Sequence, residues 1–138
     1  MRLFGEKVCG TYNLAAGLLH LFFLLLWREH LRRLPMDIGE LIDIFNIQIA
    51  ILFFLVAYLY WAHSGSMRTT PFGRAVTWGM TIFWVARALE EVLFNRAWGA
   101  EEAAWFSALL LGAVLHASLL RSRARTTLAE APAAPPGG

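Results

Sequence analysis

Apolar residues fall into four runs, at about residues 11–27, 38–62, 72–94 and 102–120, with charged residues gathered between them and at the ends. A helix needs about 20 largely apolar residues to cross the hydrocarbon of a bilayer, and these runs are close to that length. The punctuation between them predicts helix ends in the same places. Asp37 and Glu40 stand three apart just after Pro35, the spacing of a capping box. Gly65 suits the position beyond the second helix, and Thr70 before Pro71 suits an N-cap followed by a first-turn proline. Glu101 and Glu102 put negative charge where the dipole of a fourth helix favours it. Short connections imply antiparallel neighbours, so the expected fold is all-α, an integral membrane four-helix up-down bundle. Residues 121–138, "RSRARTTLAEAPAAPPGG", lose the apolar pattern and predict a disordered tail, basic first and then Ala/Pro/Gly-rich.

Composition supports the membrane reading. Of the 138 residues, 58% are hydrophobic and 16% charged, more apolar than an ordinary soluble domain. One domain accounts for that length. The first run follows basic residues, as in a signal peptide, but "LLLWREHLRRL" offers no small-residue cleavage site, so it is expected to be retained. Lys and Arg then set the orientation. Arg2, Lys7, Arg68, Arg74, Arg121, Arg123 and Arg125 lie on one side of the expected bundle, against Arg28, Arg32, Arg33 and Arg96 on the other. The positive-inside rule places the first set, with both termini, in the cytoplasm; the expected location is the plasma (inner) membrane. Tyr58, Tyr60 and Trp61 would form an inner aromatic belt, with Trp27 and Trp98 near the outer surface. The net charge of +2 has no basic soluble face to reside on, which argues against nucleic acid as a partner.

Helical periodicity gives each run one stripe of small and polar positions. Asn13, Ala16, Gly17 and His20 share a face of the first; Asp43, Asn46, Ala50 and Ala57 share a face of the second. Arg87 aligns with Glu91 on the third, with Glu90 to one side, and Glu102, Gly112, Ala113 and His116 align on the fourth. Small residues let membrane helices approach, and polar ones need partners there, so the stripes are expected to face inward. Counted at 1.5 Å per residue, Arg87 and Asn46 come to about 22 Å above the cytoplasmic edge. Asp43 and Glu91 follow about one turn further out, with Glu90 and Glu102 near the outer mouth. Arg87 can pair with Glu90, Glu91 or Asp43, and acids outnumber cations in this group. Ionised groups at such depth cost about 2.5–3.5 kcal/mol on insertion scales, which makes the surplus acids a candidate ligand site. Arg87, Asp43, Asn46, Glu90, Glu91 and Glu102 are therefore the expected ligand-binding residues.

Other chemistry is sparse. His20 and His116 face inward on helices that neighbour each other in a closed bundle, an arrangement that can hold a b-type haem. Their counted levels, about 13 Å and about 7 Å, differ by roughly a turn, and hydrogen-bonded interior histidines are the simpler expectation, with His20 directed to the side of Asn13 or to a water. His30 and His63 are expected at the surface. Arg87 among the acids opposes a divalent metal, and no metal site is expected. Cys9 stands alone, so no internal disulfide or paired-thiol motif is available. No zinc-protease, phosphate-loop or serine-nucleophile motif is present. In architecture alone, four spans with buried acids resemble the sterol-isomerase-like membrane fold, in which intramembrane carboxylates do acid–base chemistry on lipids. No motif matches residue by residue, and no site residue carries over.

The leading functional expectation is a small polytopic membrane protein whose outer-half polar cluster binds a small ligand, a lipid headgroup or a transported ion. The alternatives are an accessory or structural subunit of a membrane complex with architectural charges, a b-type haem electron carrier, and an intramembrane acid–base enzyme acting on a lipid. The lipid bilayer is the expected partner, with a homo-oligomer or a larger membrane complex as the working form.

Overall fold

The computed structural model describes residues 4–94 and 99–129, and every described element is an α-helix. In chain order these are α1 (Phe4–Leu26), α2 (Arg28–Leu31), α3 (Met36–Ala62), α4 (Ser64–Thr69), α5 (Pro71–Phe94) and α6 (Ala100–Ala129). The chain divides into two compact units, residues 1–65 and 66–138. The first is built on α1 packed against α3, the second on α5 packed against α6.

In the first unit the packing faces follow from sequence spacing. Glu6, Cys9, Gly10, Asn13 and Gly17 are buried on α1, at the three- and four-residue intervals of a single helix face. On α3 the buried set is Gly39, Ala50, Phe53, Val56, Ala57 and Tyr60, again one face. The two helices run antiparallel: the Trp61 indole donates to the Lys7 carbonyl at 3.2 Å, and further along His20 meets Asn46. Small residues on α1 admit aromatics from α3. A Cβ added at Gly17 would lie 2.6 Å from the Phe54 ring, closer than side chains tolerate.

The second unit is organised likewise. Gly73, Thr77, Met80, Thr81, Trp84 and Ala88 are buried along α5, and Ala113, His116 and Leu119 along α6. Thr70 caps α5, its Oγ1 accepting from the Gly73 amide at 3.0 Å, with Pro71 as the first helical residue. At the start of α6 the Gly99 amide donates to Glu102 Oε2 at 2.8 Å, with Glu101 and Glu102 both in the first turn.

Three helical segments are long and apolar enough to cross a membrane: Phe4–Leu26, Ile38–Ala62 and Ala100–Arg121. α5 has the length, at 24 residues, but Arg74, Arg87, Glu90 and Glu91 lower its mean hydropathy, and it does not join them. Large apolar side chains remain exposed on every long helix, among them Phe22, Ile51, Ile82 and Val114. So much uncovered apolar surface is foreign to a water-soluble monomer and ordinary for helices solvated by lipid.

The structure departs from the hydropathy pattern at several helix ends. α1 begins at Phe4, seven residues before the apolar run, because "FGEKVCG" contains no helix breaker stronger than its glycines and buries Glu6 and Cys9. α6 continues through 121–129, which the pattern assigned to a tail; no Gly or Pro interrupts that stretch, and Arg, Ala and Leu all favour helix. Gly65 lies inside α4 with no positive φ; His63 ends α3 in its place. Pro35 occupies the N-cap position of α3 without a side-chain capping bond, and the side chain of Asp37 lies outside the described residues. Arg2, Arg96, Trp98 and residues 130–138 also lie outside them, as does the His30 side chain.

Candidate functional site

Polar side chains in these helices are satisfied in two different ways. Most bond backward to their own helix. Thr11 donates to the Lys7 carbonyl at 2.9 Å and Asn13 to the Cys9 carbonyl at 2.7 Å. Thr77, Thr81 and Ser107 donate to the carbonyls of Gly73, Thr77 and Ala103 at 2.9, 2.8 and 2.7 Å. His116, fully buried, donates from Nδ1 to the Gly112 carbonyl at 2.7 Å. Each of these is a four-residue return that needs no other helix.

Two groups break that habit: the Trp61 indole, which donates to the Lys7 carbonyl at 3.2 Å, and the His20 ring. His20 Nδ1 and Asn46 Oδ1 lie 2.9 Å apart, a hydrogen bond that joins α1 to α3. The amide oxygen is an acceptor, so His20 donates from Nδ1, and a neutral ring then keeps a lone pair on Nε2. The ring also rests against Phe53, with centroids 5.6 Å apart and planes tilted by 31°, while Phe23 meets its edge at 6.3 Å. Aromatic packing on two sides fixes the imidazole. Asp43 stands three residues before Asn46, one turn along the same face of α3. Its Oδ1 is buried and has no hydrogen-bond partner among the described residues. A buried acceptor without a donor costs about 1–3 kcal/mol, and more for a charged group. His20 and Asn46 thus offer an imidazole nitrogen and an amide at the α1–α3 seam, with the Asp43 carboxylate one turn along α3.

The remaining expected ligand residues sit in the second unit. Arg87 forms an ion pair with Glu90 within α5, and both side chains are close to half exposed, at 48% and 46%. The pair is therefore a feature of the helix surface. Glu91 is half-buried beside it, and Glu102 caps α6 through Gly99. The structure thus joins Arg87 to Glu90 and Asn46 to His20. Asp43 and Asn46 belong to the first unit, and Arg87, Glu90, Glu91 and Glu102 to the second.

His20 pairs with Asn46 on α3 and is not directed to Asn13, which spends its amide on Cys9. The counted level of His20 was too low because the count began at Thr11. Starting from Phe4 raises His20 by about 10 Å, to the level assigned to Asn46. His20 lies in the first unit and His116 in the second. Among the described residues, no three His, Cys, Asp or Glu side chains are grouped so as to hold a metal ion. No protein-family model, curated protein or solved structure matches this chain.

Proposed function

We propose that this chain is an integral membrane protein whose first helical hairpin binds a small cationic ligand or a transported cation. Asp43 would supply the charge, Asn46 the neighbouring polar group, and His20 the nitrogen donor opposite. The observation that carries this reading is the buried Asp43 Oδ1, which has no donor among the described residues and lies one turn from the His20–Asn46 bond. A carboxylate oxygen accepts, so it favours a cation or a donor-bearing ligand over an anion. Acids within membrane helices are rare and are commonly tied to ion or proton pathways. In this reading α5 is a fourth span despite its charges, the chain resides in the plasma membrane, and the Lys/Arg distribution puts both termini in the cytoplasm.

Native mass spectrometry of the gently extracted protein tests the binding role. A discrete added mass in the wild type, absent from a folded Asp43→Asn variant, is the expected result. A bare wild-type mass, with Asp43→Asn melting as the wild type does, would show that Asp43 binds nothing retained and would refute the reading.

A second reading, an accessory or structural subunit of a homo-oligomer or larger complex, draws support from the Arg87–Glu90 pair. That pair is satisfied within its own helix and asks for no ligand. In this case the extracted protein would carry a polypeptide partner, and Arg87→Gln would reduce assembly without changing any small-molecule mass. A haem-carrier reading predicts a Soret band from haem-replete cells that His20→Ala or His116→Ala abolishes.

A further inference from the structure

The second unit sorts its charge by end. α5 and α6 pack together across the short connection 95–99, so they run antiparallel, and the beginning of α5 shares an end with the last turns of α6. That end carries Arg68 on α4, Arg74 in the first turns of α5, and Arg121, Arg123 and Arg125 in the continuation of α6. No Asp or Glu occurs at 44–89 or at 103–129, and Glu130 follows Arg125 by five residues. Of the five acids in residues 66–138, Glu90, Glu91, Glu101 and Glu102 are at the opposite end, with Arg87.

Local helix stability does not account for the basic end. None of the three arginines on α6 lies in its last turn, and Arg74 lies close to the N-terminus of α5, where the dipole disfavours a cation. Arg74 is exposed, so it also buries little stem. Length supplies the second argument. α6 has 30 residues and spans about 45 Å, against about 30 Å of hydrocarbon. Arg121 stands about 32 Å from Ala100. A helix that enters the hydrocarbon at Ala100 leaves it near Arg121 and carries positions 123 and 125 about 3–6 Å further, into the headgroup layer.

We propose that this basic end of the second unit binds the headgroups of anionic phospholipids. The chemistry is charge-assisted hydrogen bonding from guanidinium groups to phosphate oxygens, carried to headgroup depth by a helix that continues past Arg121. The proposal rests on the membrane reading above and adds a lipid class and a location to it. Each arginine near such a surface contributes about five-fold in affinity.

The test is native mass spectrometry of the full chain in detergent, titrated with phosphatidylglycerol or phosphatidylcholine. Phosphatidylglycerol is expected to bind at least about ten-fold more tightly, which takes little more than one arginine's share. Arg68→Gln/Arg74→Gln and Arg121→Gln/Arg123→Gln/Arg125→Gln should each reduce that preference. Arg28→Gln/Arg32→Gln/Arg33→Gln, which removes charge from the first unit, should leave it intact. Equal binding of the two lipids, or a preference that survives both second-unit variants, would overturn the proposal. So would inorganic phosphate alone raising the melting temperature as the lipid does, since the site would then take free anions. If a variant does not fold, the wild type decides: a preference undiminished at about 0.5 M NaCl is not electrostatic and sinks the idea. Carbonate extraction separates the two layers of inference. Release from membranes overturns the membrane reading and this proposal together, whereas retention without lipid preference overturns this proposal alone.

Discussion

The hydrogen bond between His20 and Asn46 should be measurable as a coupling between α1 and α3. The perturbation is a double-mutant cycle of His20→Leu, Asn46→Leu and the pair, with stability followed by thermal melting or steric trapping in detergent. His20→Leu removes the 2.9 Å bond and the ring contact with Phe53. It also leaves the Asn46 oxygen without a donor in a part-buried seam. The lost bond and orphaned acceptor together predict a loss of about 1–3 kcal/mol. Asn46→Leu leaves the imidazole N–H unsatisfied and should cost a similar amount. The Phe53 contact is lost along both His20 edges of the cycle and cancels. What remains is the bond itself, for which interhelical pairs in membrane proteins average about 0.6 kcal/mol and reach about 1.7. The double variant should therefore be more stable than the sum of the single losses by about 0.5–1.5 kcal/mol. Strict additivity would refute the bond as a link between the helices. It would also remove the geometric support for Asp43 as part of a prearranged site.

Three further outcomes test other parts of the structure. At Gly73 an added Cβ would run into Met67 Cα and the carbonyl oxygens of Ser66 and Met67, all backbone, so Gly73→Ala should cost about 1–3 kcal/mol or more by overpacking; a melt within 1 °C of wild type would disprove the close approach. Thr70→Ala removes the cap on the Gly73 amide and should destabilise by about 1 kcal/mol, with Thr70→Ser recovering most of it in the same melts. Arg87→Gln should cost less than about 1 kcal/mol because both partners of its ion pair are nearly half exposed; a loss several times larger would place the pair in lipid or against a partner.

How far the sequence led depended on the range of the interaction. Faces were legible. The stripe containing Asn13, Gly17 and His20 on α1, and that containing Asn46, Ala50 and Ala57 on α3, are the faces that meet, because a 3.6-residue period requires no knowledge of the neighbour. Caps were legible where the chemistry is local, as at Thr70 and Glu102. Partners across the seam were not. Whether His20 meets Asn13, Asn46 or water depends on the register of two helices, and that depends on where α1 starts. Hydropathy places the start at Thr11, since Glu6 and Lys7 score as surface residues, yet Glu6 is buried in the helix. The same blindness cut α6 short at Leu120, because loss of apolarity marks the edge of lipid and helix propensity continues past it. Inward-facing stripes and counted depth group Arg87 with Asp43, and each unit by itself gives them different surroundings: a half-exposed intrahelical pair for one, a buried oxygen without a partner among the described residues for the other.

The backward hydrogen bonds bear on how such a chain is made. A ribosome delivers α1 first, and a polar side chain that already bonds the carbonyl four residues behind it can leave the translocon without waiting for another helix. Thr81 on α5 and Ser107 on α6 gain such bonds from the moment their helices form, and Asn13, Thr77 and His116 gain one each in the same way. His20 and Asn46 do not, since each supplies what the other lacks across the seam. Their bond can close only once α3 has been made, since Asn46 follows His20 by 26 residues in the chain. The seam between α1 and α3 is therefore completed late, whereas the backward bonds on α5 and α6 form as each helix does.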